Sequence, residues 1–137
     1  MTKFYMIADF FVEDIPTGGG ELCNEELRKL LVQKGYEVET RYTKDVTLRW
    51  LNEFVAYEDA NLIIGNFLLL NEGIKLALKN HKYVIYEHDH KYLTTRDPSV
   101  FSNYKAPAAN IVNKDFYKNA QAVFCQSKLH CWIVTGK

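Results

Sequence analysis

Short, almost wholly apolar runs recur along this chain, separated by stretches whose apolar residues fall at helical spacing. FYMIADFF (4–11) opens the series, NLIIGN (61–66) and KYVIYEHD (82–89) continue it, AVFCQS (122–127) ends it, and the looser alternation of YEVETRYT (36–43) adds a second strand early on. A strand with apolar residues at successive positions must be covered on both faces, which is the signature of a buried parallel sheet. Between the runs, Cys23, Leu27, Leu30 and Leu31 mark a helix that Gly35 stops, with Glu25 and Lys29 as an i,i+4 pair on its wet side. Thr47 is positioned to cap a helix over 47–60. Leu70, Ile74, Ala77 and Leu78 share one face of a helix over about 69–80. A further helix is expected over 110–120, and another starts at Ser127 as its cap. Strict β/α alternation with right-handed crossovers places helices on both faces. The expected fold class is therefore α/β: a doubly wound, Rossmann-like parallel sheet of about five strands, in a single domain spanning 1–137.

The commonest order for such a sheet, 3-2-1-4-5, sets strands one and four side by side where the winding reverses, and ligands bind outside the carboxyl ends of strands there. Two segments leave those ends. One is PTGGGEL (16–22), with Gly18, Gly19 and Gly20 in succession; the other is EHDHKY (87–92). The topology is thus expected to bring the glycines near His88. Residues 91–109 show no clear period and contain two prolines, and so long a connection in a compact domain is usually functional or mobile.

Charge narrows the classes of function. The chain carries 17 basic and 17 acidic residues, so no polyanion-binding surface is expected and nucleic acid is not a partner. Its three cysteines, Cys23, Cys125 and Cys131, are odd in number and show no CxxC spacing, which fits a reduced, cytoplasmic setting. The first apolar run is broken by Asp9 and followed by Glu13 and Asp14, unlike a secretion signal. No stretch reaches the roughly 20 apolar residues of a membrane span, so the protein is expected to be soluble.

A glycine-rich turn from strand to helix lets backbone N–H groups approach an anion at the positive end of the helix, and phosphate is the natural guest. The same glycines also suit a tight turn that needs positive φ. The spacing is neither GxGxxG nor GxxxxGK[ST], which removes the main support for a dinucleotide or P-loop site. Glu21, in the helix's first turn, complements the dipole whether or not it meets a ligand. In YEHDHKY an extended chain sends His88 and His90 to one face and Glu87 and Asp89 to the other. Two histidines could hold a metal, but His81 and His130 stand at no ligand spacing and no metal is expected. A neutral imidazole donating to a hydroxyl or phosphate is the functional alternative to a solvated strand end. Arg96, beside Thr94 and Thr95, could clamp a phosphate or sugar hydroxyls, although surface arginines are common. Cys131 follows His130, but adjacent helix positions point apart, which argues against a nucleophilic thiol.

With PTGGGE, the helix ending in QKGYEV, the strand ending in YEHD and the stretch from Ala120 to His130 in view, the chain resembles the N-terminal domain of GT-B glycosyltransferases, particularly the large retaining group-one transferases. Their first strand runs into a PxGGxE loop, a helix ends near KxGHEV, and a histidine follows the fourth strand. Here those features are Pro16, Gly18, Gly19, Gly20 and Glu21, then QKGYEV with Tyr36 in the histidine's place, then His88. The resemblance implies transfer of a sugar from a nucleotide-sugar donor to an acceptor, without a cofactor or essential metal. It implies that Gly18 to Gly20, with Glu21, face the donor diphosphate and that His88 is catalytic, contacting the transferred sugar or helping its departure. It sets Asp89, His90 and Arg96 on the acceptor side, with 91–109 lining it. The family's second Rossmann-like domain, with its Glu-x7-Glu motif, is expected to be absent from these residues and to be a partner in the complete protein, leaving this chain alone inactive.

Two other readings share the sheet. One is a standalone, noncatalytic α/β module whose glycine loop binds a phosphate-containing ligand or a protein partner. The other is a small flavodoxin-like nucleotide or flavin protein.

Overall fold

The computed structural model describes residues 3–11, 13, 19–87, 91, 93, 94, 96, 98–100 and 108–124. Their elements follow the expected alternation: β1 (Lys3–Ala8), α1 (Gly19–Gln33), β2 (Glu37–Tyr42), a helix α2, β3 (Asn61–Ile64), α3 (Glu72–Leu78), β4 (Tyr83–Tyr86), α4 (Lys114–Asn119) and β5 (Val123–Phe124). The helix α2 is composite, with α-helical turns at Leu48–Trp50 and Ala56–Glu58 joined by a π-helical stretch at Leu51–Val55. The strands form one parallel α/β sheet with helices on both faces, as the periodicity required.

The order of the strands differs from the expected 3-2-1-4-5. It is β2-β1-β3-β4-β5, so β1 pairs with β2 and β3, and β3 separates β1 from β4. The winding therefore reverses between β1 and β3. Solvation explains the choice. In β2, Glu37, Glu39 and Thr40 are exposed, which an edge strand accommodates and a central strand does not. In β3, Leu62, Ile63 and Ile64 are all buried, so both faces and both edges are covered.

The alternation of side chains along β1 divides the core. Tyr5 and Ile7 join Trp50, Leu51 and Val55 of α2, Ile74 and Leu78 of α3, and Phe116 of α4 on one face. Met6 and Ala8 join Phe11 and Ile63 on the other, packed against Leu27 and Leu31 of α1. Many of the aromatics are core: Tyr5, Trp50, Phe67, Tyr83 and Phe116 are buried, while Tyr57 is 89% exposed.

Several local signals act as the sequence suggested. Gly35 takes φ 92 beyond the end of α1, where the Tyr36 N–H donates to the Leu31 carbonyl at 3.1 Å. Thr47 caps α2, its hydroxyl accepting from the Trp50 N–H at 3.1 Å. Asn71, which the sequence reading did not mark, caps α3 in the same way at Ile74, at 2.8 Å. On α1, the ion pairs run at i,i+3, Arg28 with Glu25 and Lys29 with Glu26, instead of joining Glu25 to Lys29.

The carboxyl end of β1 is held by Asp9, which is buried. Its Oδ1 accepts from Thr43 Oγ1 at 2.7 Å and from the Leu69 N–H at 3.1 Å, and its Oδ2 accepts from the Leu68 N–H at 2.8 Å. One carboxylate thus joins β1, the turn after β2 and the loop after β3. Below that loop, Gly65 packs against buried Asn24 of α1: a Cβ on Gly65 would stand 2.6 Å from Asn24 Nδ2, so any side chain there would displace the buried amide.

Two tests follow from this packing. Asp9→Ala strands two loop N–H groups and a buried hydroxyl, and urea titration should show a loss of about 3 kcal/mol. Burial pushes the Tyr83 phenol up from 10.0 to about 12, and its hydroxyl donates to the Phe116 carbonyl. A phenol whose pKa is raised on folding contributes stability that is complete below pH 10 and lost as pH rises through about 12. Tyr83→Phe should therefore cost about 1 kcal/mol at neutral pH for the lost hydrogen bond, yet flatten the fall in stability above pH 10. Tyr5 and Tyr86, also raised by burial, and Lys3, raised by its hydrogen bond to Glu58, contribute to the slope that remains.

Candidate functional site

The switch point between β1 and β3 is largely occupied, among the described residues, by the Asp9 hydrogen bonds and the Gly65–Asn24 contact. Next to it, still at the carboxyl edge of the sheet, a cavity of about 290 Å³ opens. The loop after β3 supplies Phe67 and Leu68, α3 supplies Glu72 and Lys75, the chain after β4 supplies Lys91, Leu93, Thr94 and Arg96, and the approach to α4 supplies Val112 and Asn113.

Phe67 anchors the floor. It is fully buried, meets Phe116 and Tyr117 edge-on with centroids 5.0 and 5.9 Å apart, and lies under two ammonium groups, Lys91 Nζ at 5.4 Å and Lys75 Nζ at 5.7 Å from its ring. Each cation gains from the ring's negative face.

Lys91 is an unusual residue to find inside. Its side chain is 1% exposed and that of its partner Glu87 is 0%, with Nζ 2.8 Å from Oε1. Tyr117 donates its hydroxyl to Glu87 Oε2. A buried ammonium is tolerable only when paired and hydrogen-bonded, and Glu87 meets that need from the last residue of the β4 exit. Asn113 Nδ2 donates to the Lys91 carbonyl at 2.8 Å, and Lys75 Nζ donates to Asn113 Oδ1 at 2.8 Å and to Glu72 Oε1 at 2.9 Å. A chain of polar contacts therefore runs from α3 through Asn113 to the segment after β4.

That segment is fixed where it is described. Leu93 bridges Ile111 in antiparallel fashion, the Thr94 N–H donates to the Asn110 carbonyl at 3.0 Å, and Asn110 Nδ2 donates to Thr94 Oγ1 at 3.0 Å. Its rim carries backbone strain. Of the three non-glycine residues at positive φ among the described residues, Arg96 (φ 57) and Asn113 (φ 59) both line the cavity. Asparagine adopts this region readily; arginine does so at a cost.

The sequence candidates distribute unevenly over this picture. Gly19 and Gly20 form the first residues of α1. Glu21, in that first turn, is buried. Arg96 is exposed at the cavity rim. Gly18, His88, Asp89 and His90 lie outside the described residues, as do Ser127, His130, Cys125 and Cys131. The expected adjacency of the glycines and His88 was drawn from neighbouring strands one and four, and in this sheet β3 lies between β1 and β4. Among the described residues no group of three or more His, Cys, Asp or Glu could hold a metal ion, and no helix is long and apolar enough to cross a membrane.

Sequence reasoning missed Lys75, Asn113 and Tyr117, whose meeting depends on tertiary packing. It also set Glu87 apart as one of two carboxylates on a strand face.

The buried pair can be tested by removing one charge and by replacing both with apolar residues. Glu87→Ala should cost about 3–5 kcal/mol in urea titrations because Lys91 is left buried without its counter-charge. The double replacement Glu87→Leu with Lys91→Met should recover most of that loss.

No protein family model, curated protein or solved structure matches the chain.

Proposed function

We propose that this chain is the acceptor-side domain of a glycosyltransferase, acting in the cytoplasm to move a sugar from a nucleotide-sugar donor to an acceptor. The observation that carries the reading is the start of α1. Gly19 and Gly20 belong to the first turn of a 15-residue helix that follows central strand β1. The leading N–H groups of a helix have no intrahelical partners and carry partial positive charge, and the absence of side chains there lets a diphosphate come close.

In this reading Gly18, Gly19 and Gly20 receive the donor diphosphate and Glu21 braces the turn behind them. His88, one residue beyond the Glu87 anchor, donates to the transferred sugar and steadies charge on the departing phosphate. Asp89, His90 and Arg96 line the acceptor side. The nucleotide itself is held by a second Rossmann-like domain, and neither metal nor cofactor takes part.

The test is a nucleotide-sugar transfer assay on the native polypeptide that contains these residues, with product followed by mass spectrometry. His88→Ala should lower turnover by about 100-fold or more, while folding, read by circular dichroism, stays intact. The 137 residues alone should form no product. Unchanged turnover in the His88 variant, or product formed by these residues alone, would overturn the reading.

A further inference from the structure

We propose that the outer edge of β2 pairs antiparallel with the same edge of a second copy of this chain, joining two five-stranded sheets into one across a twofold axis at Thr40. The inference is independent of sugar transfer and stands on β1, β2 and α2 alone.

β2 is the last strand on its side of the sheet and runs beside β1 for six consecutive positions, from Lys3 with Glu37 to Ala8 with Tyr42, with neither a bulge nor a proline to blunt it. The direction of its backbone groups follows from β1. The Ile7 carbonyl accepts from the Gly65 N–H at 2.8 Å and the Asp9 N–H donates to the Asn66 carbonyl at 3.1 Å, so these residues of β1 face β3 and the alternate ones, Met6 among them, face β2. Met6 lies opposite Thr40, and the slanted bonds of a parallel pair reach the residues on either side, Glu39 and Arg41. Val38 and Thr40 therefore turn their N–H and carbonyl groups to the open edge.

A twofold axis sets each residue against one equally far beyond the axis. Centred on Thr40, it places Glu39 against the partner's Arg41 and Arg41 against the partner's Glu39, two opposite-charge pairs from one operation. Thr40 and the partner's Thr40 exchange two N–H to carbonyl bonds, and Val38 stands against the partner's Tyr42, an aliphatic–aromatic pair. Moving the axis to Glu39 sets two carboxylates face to face, moving it to Arg41 sets two guanidiniums face to face, and moving it to Val38 sets Glu37 against Glu39 twice. Charges on an edge ordinarily repel a second strand; here they select one register.

Both charges are available. Arg41 has no carboxylate partner among the described residues: its Nε donates to the Asp45 carbonyl at 2.9 Å and its guanidinium lies 4.3 Å from the Trp50 ring centre, which holds the fork and leaves its other N–H groups for an anion. Glu39 is 56% exposed and shares the single ammonium of Lys3 with Glu37 and Glu58, so negative charge is in excess there. Glu39 and Arg41 line one hollow of about 450 Å³ with Trp50 and exposed Phe54 of α2. On the other face Val38 and Thr40 line a second, of about 510 Å³, with Phe11 and Arg28. The side chains of an added strand thus find room on both faces.

An interface built around one strand edge is small, so the dimer should be concentration-dependent, with a Kd on the order of 10 μM by sedimentation velocity. Glu39→Arg and Arg41→Glu each set like charges opposite one another twice, and each should weaken self-association at least about tenfold. An equal mixture of these two variants restores both opposite-charge pairs and should form heterodimers at close to the original affinity; one chain carrying both substitutions should again dimerise with itself. Thr40→Pro removes the N–H at the axis while sparing the bonds to β1, and should abolish the dimer. Circular dichroism and urea titration establish which variants fold. If Arg41→Glu does not, because Arg41 covers Trp50, then Glu39→Arg and Thr40→Pro decide. The proposal is overturned if the chain stays monomeric up to about 300 μM, as it would if the edge served another protein or a further segment of the polypeptide. It is equally overturned if folded Glu39→Arg or Thr40→Pro chains dimerise as the original does, or if a mixture of the two folded charge variants forms no heterodimer.

Discussion

The carboxyl edge of this sheet depends on one side chain, Asp9. A loop leaving a central strand carries N–H groups that must find partners once buried. The loop after β3 solves the problem by directing Leu68 and Leu69 N–H at the Asp9 carboxylate, while Thr43 donates to the same group from the turn after β2. Three segments far apart in sequence thus share one anchor. Phe67, immediately before the two anchored residues, is thereby set under Lys75 and Lys91, and the cavity takes its shape from that ring.

The cavity's second constraint is the ion pair of Glu87 and Lys91. Such a pair contributes little net stability, because each ion has lost its water and the attraction mostly offsets that cost. What it does is hold the chain in place. Glu87 sits one residue past β4, so its pairing to Lys91 ties that later residue to the strand's exit, and Tyr117 fixes the other carboxylate oxygen from α4. A charged residue is thereby kept on the wall of a hollow that an apolar residue of similar length would fill without chemical consequence.

How far the sequence disclosed this arrangement can be judged residue by residue. The helix stop at Gly35 and the Thr47 cap were legible because both are local: one needs only a positive φ, the other a hydroxyl three residues before an N–H. The strand order is also written in the sequence, though not in the commonest layout for such a sheet. The charged pattern of β2 marks an edge and the unbroken Leu62, Ile63 and Ile64 mark a centre, which points to β2-β1-β3-β4-β5 over the commoner order. The π-helical stretch at Leu51–Val55 carried no such mark, since its apolar residues fit an α-helical stripe equally well. Of the site, Arg96 was singled out for its type and lies at the cavity, whereas Lys75 and Asn113 had no signal at all until packing brought them together.

The sequence by itself determined the class of fold, because covering a short apolar strand on both faces and linking parallel strands through right-handed crossovers leave few alternatives. It also determined the end of α1 at Gly35 and the cap of α2 at Thr47, since those interactions span only a few positions. Only the tertiary structure decided which strands are neighbours, that an acidic residue following β1 would bind backbone of the β3 loop, and that Lys75, Lys91 and Arg96 would face one hollow. The reason is that each of these outcomes joins residues from separate elements, and the energies that select them, burial of charge, satisfaction of loop N–H groups and packing under an aromatic ring, exist only after the chain has closed around them.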